Sequence, residues 1–312
     1  MKRRLCSLLV GLALCLAGLW AHAGSRVVIV SSDNTAAYMV ATQTLTTDLA
    51  RAGVSPDDIM RLSVPEWAAQ SELVMQARIY VALGSQATAA LAGDHGSVPV
   101  LAALLPRGSF ERALRSNALK ASSAFTAIYL DQTLQRQLAL IRLALPQAKT
   151  LGVLWGPDSW PTAPLLRAQA ASAGLSLKEA GLEGKLNLFP DLQQVLDGSD
   201  VFLALADPQV FNSNTIQNIL LTTFRAQVPM VAFSPAYVRA GALLALHTTP
   251  EQVGRQAAAL VLAALRGKPL PLQPVPTNDF EVSVNAHVAR ALNLTLDGQA
   301  LRQALRQLEH LP

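Results

Sequence analysis

Cysteine, charged and aromatic residues are all scarce in this chain of 312 residues. Its two Cys residues exclude a disulfide-stapled scaffold and a zinc or iron–sulfur module built on thiolates. Charged residues make up 15% of the sequence and aromatic residues 5%, whereas hydrophobic residues make up 51%. This composition is too apolar for a disordered chain, and it leaves Leu, Ala and Val to fill the core.

The excess of positive charge is concentrated at the start of the chain. The net charge is +4, and three of the cations are Lys2, Arg3 and Arg4. An apolar run over residues 5–21 follows, and small residues stand at Ala21 and Ala23. This pattern predicts a signal peptide over residues 1–23, cleaved after Ala23, and a periplasmic location. The whole chain has 25 Lys and Arg residues, so loss of these three leaves 22 basic residues against 21 acidic ones. The mature chain then has a net charge of +1.

Two alternatives to simple cleavage remain open. The first is a retained membrane anchor, although a run of about 17 apolar residues is at the short limit for a span. The second is lipidation at Cys15, where Leu14 stands in place of the small residue that such a site needs. Cys6 and Cys15 both fall inside the signal, so the mature chain has no thiol, which suits an oxidising compartment. A nearly neutral chain without a stripe of Arg and Lys is not expected to bind nucleic acid.

Short aliphatic runs alternate with helix-like stretches along the mature sequence, as in parallel sheets that are covered by helices on both faces. Strands are predicted at residues 26–31, 58–62, 79–83, 98–102, 124–130, 150–155, 175–180, 200–204, 229–233, 242–246 and 280–284. Helices are predicted at residues 34–52, 66–77, 86–91, 132–145, 162–173, 187–196, 213–226, 250–266, 285–292 and 297–308. Residues 110–120 are expected to be irregular, and the proline-rich residues 268–276 to form an extended connector.

The same strand–helix unit therefore runs twice, with a break near residues 104–132. We therefore expect an α/β fold with two doubly wound parallel-sheet lobes. The length of the chain also favours two lobes, because about 150 residues per domain is typical. The first lobe is expected to contain residues 24–125 plus about 240–275, and the second residues 126–239 plus about 276–312. A tail that returns to both lobes implies several crossings between them, which form a multi-strand hinge.

Ligands of open parallel sheets bind at the carboxyl ends of the strands, so the loops after the strands are the candidate sites. Ser32, Asn34 and Thr35 follow the first strand and precede a helix, where they either bind a ligand anion or cap the helix. Gly84 and its two successors, Ser85 and Gln86, follow the third strand, either as a ligand-binding turn or as an ordinary connection.

Asp207 follows the strand at residues 200–204, where its carboxylate either pairs with a ligand amine or caps the turn at Pro208. Several aromatic residues near strand ends either stack on a flat ligand or pack in the core: Tyr38, Tyr129, Trp155, Trp160, Phe211, Phe233 and Tyr237.

Signals for catalysis are weak. The sequence has no G-x-S-x-G elbow, no phosphate-binding G-x-x-x-x-G-K-[ST] loop and no G-x-G-x-x-G fingerprint. The His residues of the mature chain, at positions 95, 247, 287 and 310, lack metal-ligand spacing. We therefore predict no enzyme, no catalytic residue, no metal and no cofactor. An exported α/β hydrolase whose triad forms only in space is the remaining enzymatic alternative.

Several segments, taken in order, resemble the periplasmic substrate-binding proteins of ABC transporters, in the subgroup with tryptophan- and tyrosine-type binders. They are residues 82–87, 145–154, Asp207 with 229–231, 238–243, 254–258, 267–269 and 284–285. The resemblance covers essentially the whole mature chain, and its specificity comes from the order of the segments. The chain departs from many relatives at residues 119–127, where a glycine-rich stretch is replaced by Leu-Lys-Ala-Ser-Ser-Ala-Phe-Thr-Ala.

The resemblance implies a type I periplasmic-binding fold that closes on a small ligand and delivers it to a membrane permease. Its ligand loops would be those at residues 32–35, 84–86, Asp207 and 234–237, which adds Ser234 and Tyr237 to the candidates. We expect a soluble monomer that binds a small, polar, amino-acid-like molecule. A sensor subunit of the same fold, which presents its closed form to a membrane receptor, is the alternative within this family.

Overall fold

The computed structural model describes residues 26–69, 77–182 and 188–309. The predicted signal peptide, with Cys6 and Cys15, lies outside these ranges. Within them, each helix is too short or too polar to cross a membrane. Twelve strands in the described ranges form two six-stranded sheets.

The first sheet has the strand order β11-β5-β4-β3-β1-β2, and all of its strand pairs are parallel. Its strands are β1 (Arg26–Ser31), β2 (Ile59–Ser63), β3 (Ala77–Leu83), β4 (Val100–Leu105), β5 (Phe125–Tyr129) and β11 (Val275–Pro276). In β4 every residue is buried, because helices cover both faces of the sheet. This double burial explains why the strand is a continuous apolar run rather than an alternating one.

The second sheet has the order β12-β10-β9-β8-β6-β7. Its strands are β6 (Thr150–Trp155), β7 (Ser176–Gly181), β8 (Val201–Leu203), β9 (Met230–Ala232), β10 (Leu244–His247) and β12 (Glu281–Val284). The edge strand β12 is antiparallel to β10, and the other pairs are parallel.

Helices connect and cover the strands. They are α1 (Ala36–Arg51), α2 (Val64–Ala69), α3 (Ser85–Gly93), α4 (Arg107–Ser116), α5 (Leu134–Ala144), α6 (Ala163–Ser172), α7 (Phe189–Leu196), α8 (Ile216–Arg225), α9 (Pro235–Ala240), α10 (Pro250–Leu265), α11 (Ala286–Ala291) and α12 (Gly298–Glu309). Helix α10 returns to the first lobe and packs on α1. Gly254 allows this close contact, because a Cβ atom there would lie 2.6 Å from the carbonyl oxygen of Ala41.

Three chain segments cross between the two lobes: residues 130–133, 248–249 and 277–280. Each contributes one side chain to a hydrogen-bonded group. The amide nitrogen of Gln132 donates to the hydroxyls of Thr248 at 2.5 Å and Thr277 at 3.0 Å, and the two hydroxyls lie 2.7 Å apart. The predicted fold class, with two doubly wound parallel-sheet lobes and a multi-strand hinge, is confirmed.

Several sequence expectations differ from the structure. Residues 110–120 were expected to be irregular, but α4 covers Arg107–Ser116, because Phe110, Ala113 and Leu114 form one buried helical face. Strand β10 belongs to the second sheet, although residues 240–275 were grouped with the first lobe. Strand β5 belongs to the first sheet, although the second lobe was expected to begin at residue 126. The helix expected at residues 66–77 differs as well, since Ala77 already lies in β3.

Candidate functional site

The predicted ligand loops of the first lobe border a cavity of about 680 Å3 at the carboxyl ends of β1 and β2. We call it the first-lobe cavity; three of the predicted residues line it: Ser32, Asn34 and Gln86. The Ser32 hydroxyl donates to the carbonyl of Leu83 at 2.8 Å and accepts the N–H of Ala87 at 2.8 Å. It therefore ties the loop after β1 to the start of α3.

Thr35, Gly84 and Ser85 are not among the residues that line the first-lobe cavity. Thr35 precedes α1, and its backbone N–H donates to the carboxylate of Asp33 at 3.1 Å. Gly84 has a φ of +86°, and a Cβ atom there would lie 2.5 Å from the hydroxyl of Tyr38. Both the backbone conformation and the close tyrosine therefore require glycine at this turn. Burial raises the pKa of Tyr38, which keeps its hydroxyl protonated.

A second cavity, of about 410 Å3, lies between the lobes and beside the hinge. We call it the interlobe cavity. Both lobes and the crossing segments contribute to its walls, among them Arg107, Tyr129, Asp131, Gln132, Asp158 and Gln169. A volume in this range fits a small organic molecule.

The lobes contact each other at the first turns of α4. The guanidinium of Arg112 lies 2.5 Å from the carboxylate of Asp158, which belongs to the loop after β6. Asp158 also lies against Gly108, where a Cβ atom would be 2.5 Å from the Asp158 Cβ. Sequence reasoning missed these three residues, because it did not identify helix α4 and did not consider the loop after β6 as part of a site. The apolar spacing of Phe110, Ala113 and Leu114 was the signal that could have located the helix.

Asp207 lies at the predicted strand end, but its side chain points into the protein. The residue is 2% exposed. One carboxylate oxygen accepts the N–H groups of Asp158 and Ser159, each at 2.9 Å, and the hydroxyl of Ser159 at 3.0 Å. The other accepts the N–H of Gln209 at 3.0 Å. Asp207 therefore anchors the loop that carries Asp158, and its pairing with a ligand amine stays a prediction.

Ser234 and Tyr237 lie together at α9, and neither lines one of these two cavities. The Ser234 hydroxyl caps the helix by accepting the N–H of Ala236 at 3.3 Å. Tyr237 packs on Phe233 and Phe211, with ring centroids 5.1 Å and 6.5 Å away. Burial raises the pKa of Tyr237. The roles of both residues in ligand binding stay predictions.

Asp131 follows β5 and lines the interlobe cavity. Its carboxylate accepts the backbone N–H of Arg107, the first residue of α4, at 2.6 Å. Burial raises the pKa of Asp131 to about 6, although this hydrogen bond acts in the opposite direction. The guanidinium of Arg107 is engaged elsewhere, since it donates to the Glu111 carboxylate at 2.6 Å.

Among the residues that the structure describes, one Ser–His pair lies at hydrogen-bond distance, with the His247 Nε2 atom 2.9 Å from the Ser283 hydroxyl. The pair joins the adjacent strands β10 and β12, and neither residue lines the first-lobe or the interlobe cavity. Burial lowers the pKa of His247. The two side chains therefore hold an edge of the second sheet together, outside both candidate pockets.

Comparison with solved structures shows the same fold in bacterial proteins of low sequence identity. An ABC domain in complex with L-Trp from Streptococcus pneumonia has a TM-score of 0.62 and 17% identity, covering 89% of this chain and 97% of that chain. A ligand-free, open substrate-binding protein with adhesive properties from Clostridium difficile has a TM-score of 0.69 and 16% identity, covering 88% and 96%. A conserved domain protein from Vibrio cholerae has a TM-score of 0.62 and 21% identity, covering 89% and 97%.

The comparison with curated proteins finds no match. The family model described as "ABC transporter substrate binding protein" matches residues 68–307. This range includes the whole second sheet, strands β3, β4, β5 and β11 of the first sheet, and the three crossing segments. The match extends over most of the chain, and the cavity between two hinged lobes agrees with it. The chain belongs to the ABC transporter substrate-binding protein family.

Proposed function

We propose that this protein captures a small, polar, amino-acid-like solute between its two lobes and delivers it to the membrane permease of an ABC importer. The observation that carries the proposal is the interlobe cavity, whose walls come from both lobes and from the hinge. In this proposal the protein acts as a monomer in the periplasm, after cleavage of residues 1–23. It binds its solute without chemical change and without a cofactor.

Closure of the lobes around the solute would supply the signal that the permease reads. A solute shifts the population towards the closed form only by contacts that are stronger there than in the open form. Side chains that different lobes contribute to one cavity meet this requirement, because opening separates them. Arg107 and Tyr129 of the first lobe and Asp158 and Gln169 of the second are such side chains.

The first-lobe loops that the family resemblance indicates would extend the site beyond the interlobe cavity. Asn34 and Gln86 face the first-lobe cavity and offer amide groups to a polar solute. In the second lobe, Ser234 and Tyr237 would approach the solute only on closure, since neither lines one of the two cavities described. The proposal of an amino-acid-like solute rests on the resemblance of the sequence to the tryptophan- and tyrosine-type subgroup. The Streptococcus pneumonia protein was crystallised with L-Trp.

A thermal-shift panel on the mature chain tests solute binding. The panel contains the twenty amino acids, putrescine and spermidine, five monosaccharides and five nucleosides. A specific solute at 100 times its dissociation constant stabilises the folded state by about 2.7 kcal/mol, which is a clear shift of the melting temperature. We expect one chemical class to produce it. If no compound shifts the melting temperature, solute binding of this class is contradicted.

An uptake assay then separates delivery from sensing. Deletion of the gene should abolish uptake of the solute that the panel identifies, and re-expression should restore it. Unchanged uptake, together with retained solute binding, would favour the sensor alternative. Turnover of the solute by the purified protein would instead support the hydrolase.

A further inference from the structure

The walls of the interlobe cavity contain hydrogen-bond acceptors that lack donors. The side-chain oxygen Oε1 of Gln169, on α6, is buried and has no hydrogen-bond partner within the described ranges. The residue lines the cavity. Most buried polar atoms in folded proteins have a partner, and a buried acceptor without a donor costs about 1–3 kcal/mol. The oxygen itself has almost no accessible surface, so a molecule in the cavity reaches it once the side-chain amide of Gln169 turns towards the cavity. The N–H groups of such a molecule would then supply the missing donor.

The carboxylate of Asp131 lies in the wall of the same cavity and has no ion pair in the described part of the chain. Its hydrogen bond is to the backbone of Arg107 and not to the guanidinium, which Glu111 holds. Across the cavity, Asp158 is neutralised by Arg112 from α4. Among the described charged residues that line this cavity, Asp131 is therefore the one without a bonded counterion.

We propose that Asp131 and Gln169 form the subsite that receives a cationic, N–H-rich group of the solute, an ammonium or a guanidinium. This inference rests on the proposed function and specifies the solute class. It also relocates the amine contact that the sequence indicated at Asp207, whose carboxylate is already saturated by four donors. A cation in this position would pair with the carboxylate and donate to the orphan amide oxygen.

The groups around Asp131 determine how such a subsite responds to pH. Arg107 and Glu111 face it from α4, Tyr129 from β5, and Asp158 from the second lobe. In the empty cavity the pKa of Asp131 is about 6, so the carboxyl takes up a proton as the pH falls below 6. A bound cation favours the ionised form. Affinity for a cationic solute should therefore fall between pH 7 and pH 5.

The test compares Asp131→Asn with the wild type. Asparagine keeps an oxygen for the N–H of Arg107 but removes the charge. Probes are L-arginine, L-lysine, L-tryptophan and putrescine, each paired with a deaminated analogue that lacks every ammonium and guanidinium group. We expect a cationic probe to bind, its deaminated analogue to bind at least about tenfold more weakly, and Asp131→Asn to lose at least about tenfold in affinity for the cationic probe. Asp57→Asn, which removes an exposed carboxylate, is the matched control and should retain wild-type affinity.

Gln169→Leu provides a second and independent readout. Loss of the orphan acceptor should raise the melting temperature of the empty protein and weaken binding of the cationic probe, a combination that a purely structural role of Gln169 would not give. Wild-type affinity should fall from pH 7 to pH 5, whereas affinity of Asp131→Asn should stay flat. Full affinity in both variants, or a preference for the deaminated analogue, overturns this subsite and leaves solute binding standing. Absence of binding by the whole thermal-shift panel overturns both proposals.

Discussion

Two aspartates, Asp131 and Asp207, follow strands at the facing ends of the two sheets, and their surroundings differ sharply. Asp207 lies in the second lobe and accepts four hydrogen bonds, three of them from backbone N–H groups. Asp131 lies at the hinge, where its carboxylate interacts with the backbone N–H of Arg107 at the start of α4 and with its own backbone N–H. Burial raises the pKa of Asp131 to about 6. The first carboxylate is a structural anchor, and the second retains binding capacity.

The difference comes from the backbone that surrounds each carboxylate. The loop after β6 turns back over Asp207 and directs the N–H groups of Asp158 and Ser159 at it. At Asp131 the N–H groups within reach are the first of α4 and that of Asp131 itself, and the residue lines the interlobe cavity. A strand-end carboxylate is thus available to a ligand only when local N–H groups do not already satisfy it.

The largest expected effect is on stability, at Asp207. Replacement by Ala would remove the acceptor of three backbone N–H groups, and the N–H of Ser159 would be left buried without a partner. Unfolding should therefore become easier by about 3 kcal/mol or more. Urea unfolding at pH 7.5 measures the change. Asp57→Ala, at an exposed position, should change stability by less than about 0.5 kcal/mol. A change at Asp207 as small as in this control would contradict its role as an anchor.

The second effect concerns the contact between lobes that Asp207 supports. Gly108→Ala should push Asp158 away from α4, because the new Cβ would lie 2.5 Å from the Asp158 Cβ. We expect solute affinity to fall by about tenfold, or about 1.4 kcal/mol, as closure becomes harder. Gly93→Ala is the matched control, since a Cβ there meets only Asn117 at an ordinary distance of 3.6 Å. Equal solute affinities of Gly108→Ala and Gly93→Ala would show that closure does not depend on the close contact between Gly108 and Asp158.

The third and smallest effect is the pH dependence that Asp131 contributes. Its pKa is higher in the folded protein than the usual 3.8, so the folded state holds an extra proton between about pH 4 and pH 6. Asp131 therefore destabilises the empty protein above pH 6 and has no effect below both pKa values. Asp131→Asn should raise stability on the order of 1 kcal/mol at pH 7.5 and leave it unchanged at pH 3.5. Lower stability of this variant at pH 7.5 would mean that Asp131 is an anchor like Asp207.

The alternation of aliphatic runs and amphipathic stretches was enough to predict both sheets and the hinge. Parallel strands buried on both faces leave this signal in the sequence itself, as in β4. Helix α4 was missed because Arg and Ser residues separate its few apolar positions. The membership of β10 in the second sheet depends on pairing with β9 and β12, which are distant partners that local patterns do not reveal.

The candidate site was predicted less well than the fold. Ser32, Asn34 and Gln86 line one cavity at the ends of strands, and their contact with a ligand stays a prediction. The periodicity of the sequence does not show where backbone N–H groups point. It therefore could not distinguish Asp207, which holds the loop after β6, from Asp131, which has no ion pair in the described residues. The unpaired oxygen of Gln169 depends on which atoms surround α6 in the folded protein, and local sequence patterns do not show them.

Small-angle X-ray scattering of the mature chain, with and without the compound that gives the largest thermal shift, tests the central claim most directly. If the lobes close on a solute between them, the radius of gyration of the wild type falls when the compound is added, as in hinge closure of other binding proteins. The same compound should produce a smaller fall with Gly108→Ala. Saturation of the protein with that compound at an unchanged radius of gyration would contradict capture by closure of the two lobes.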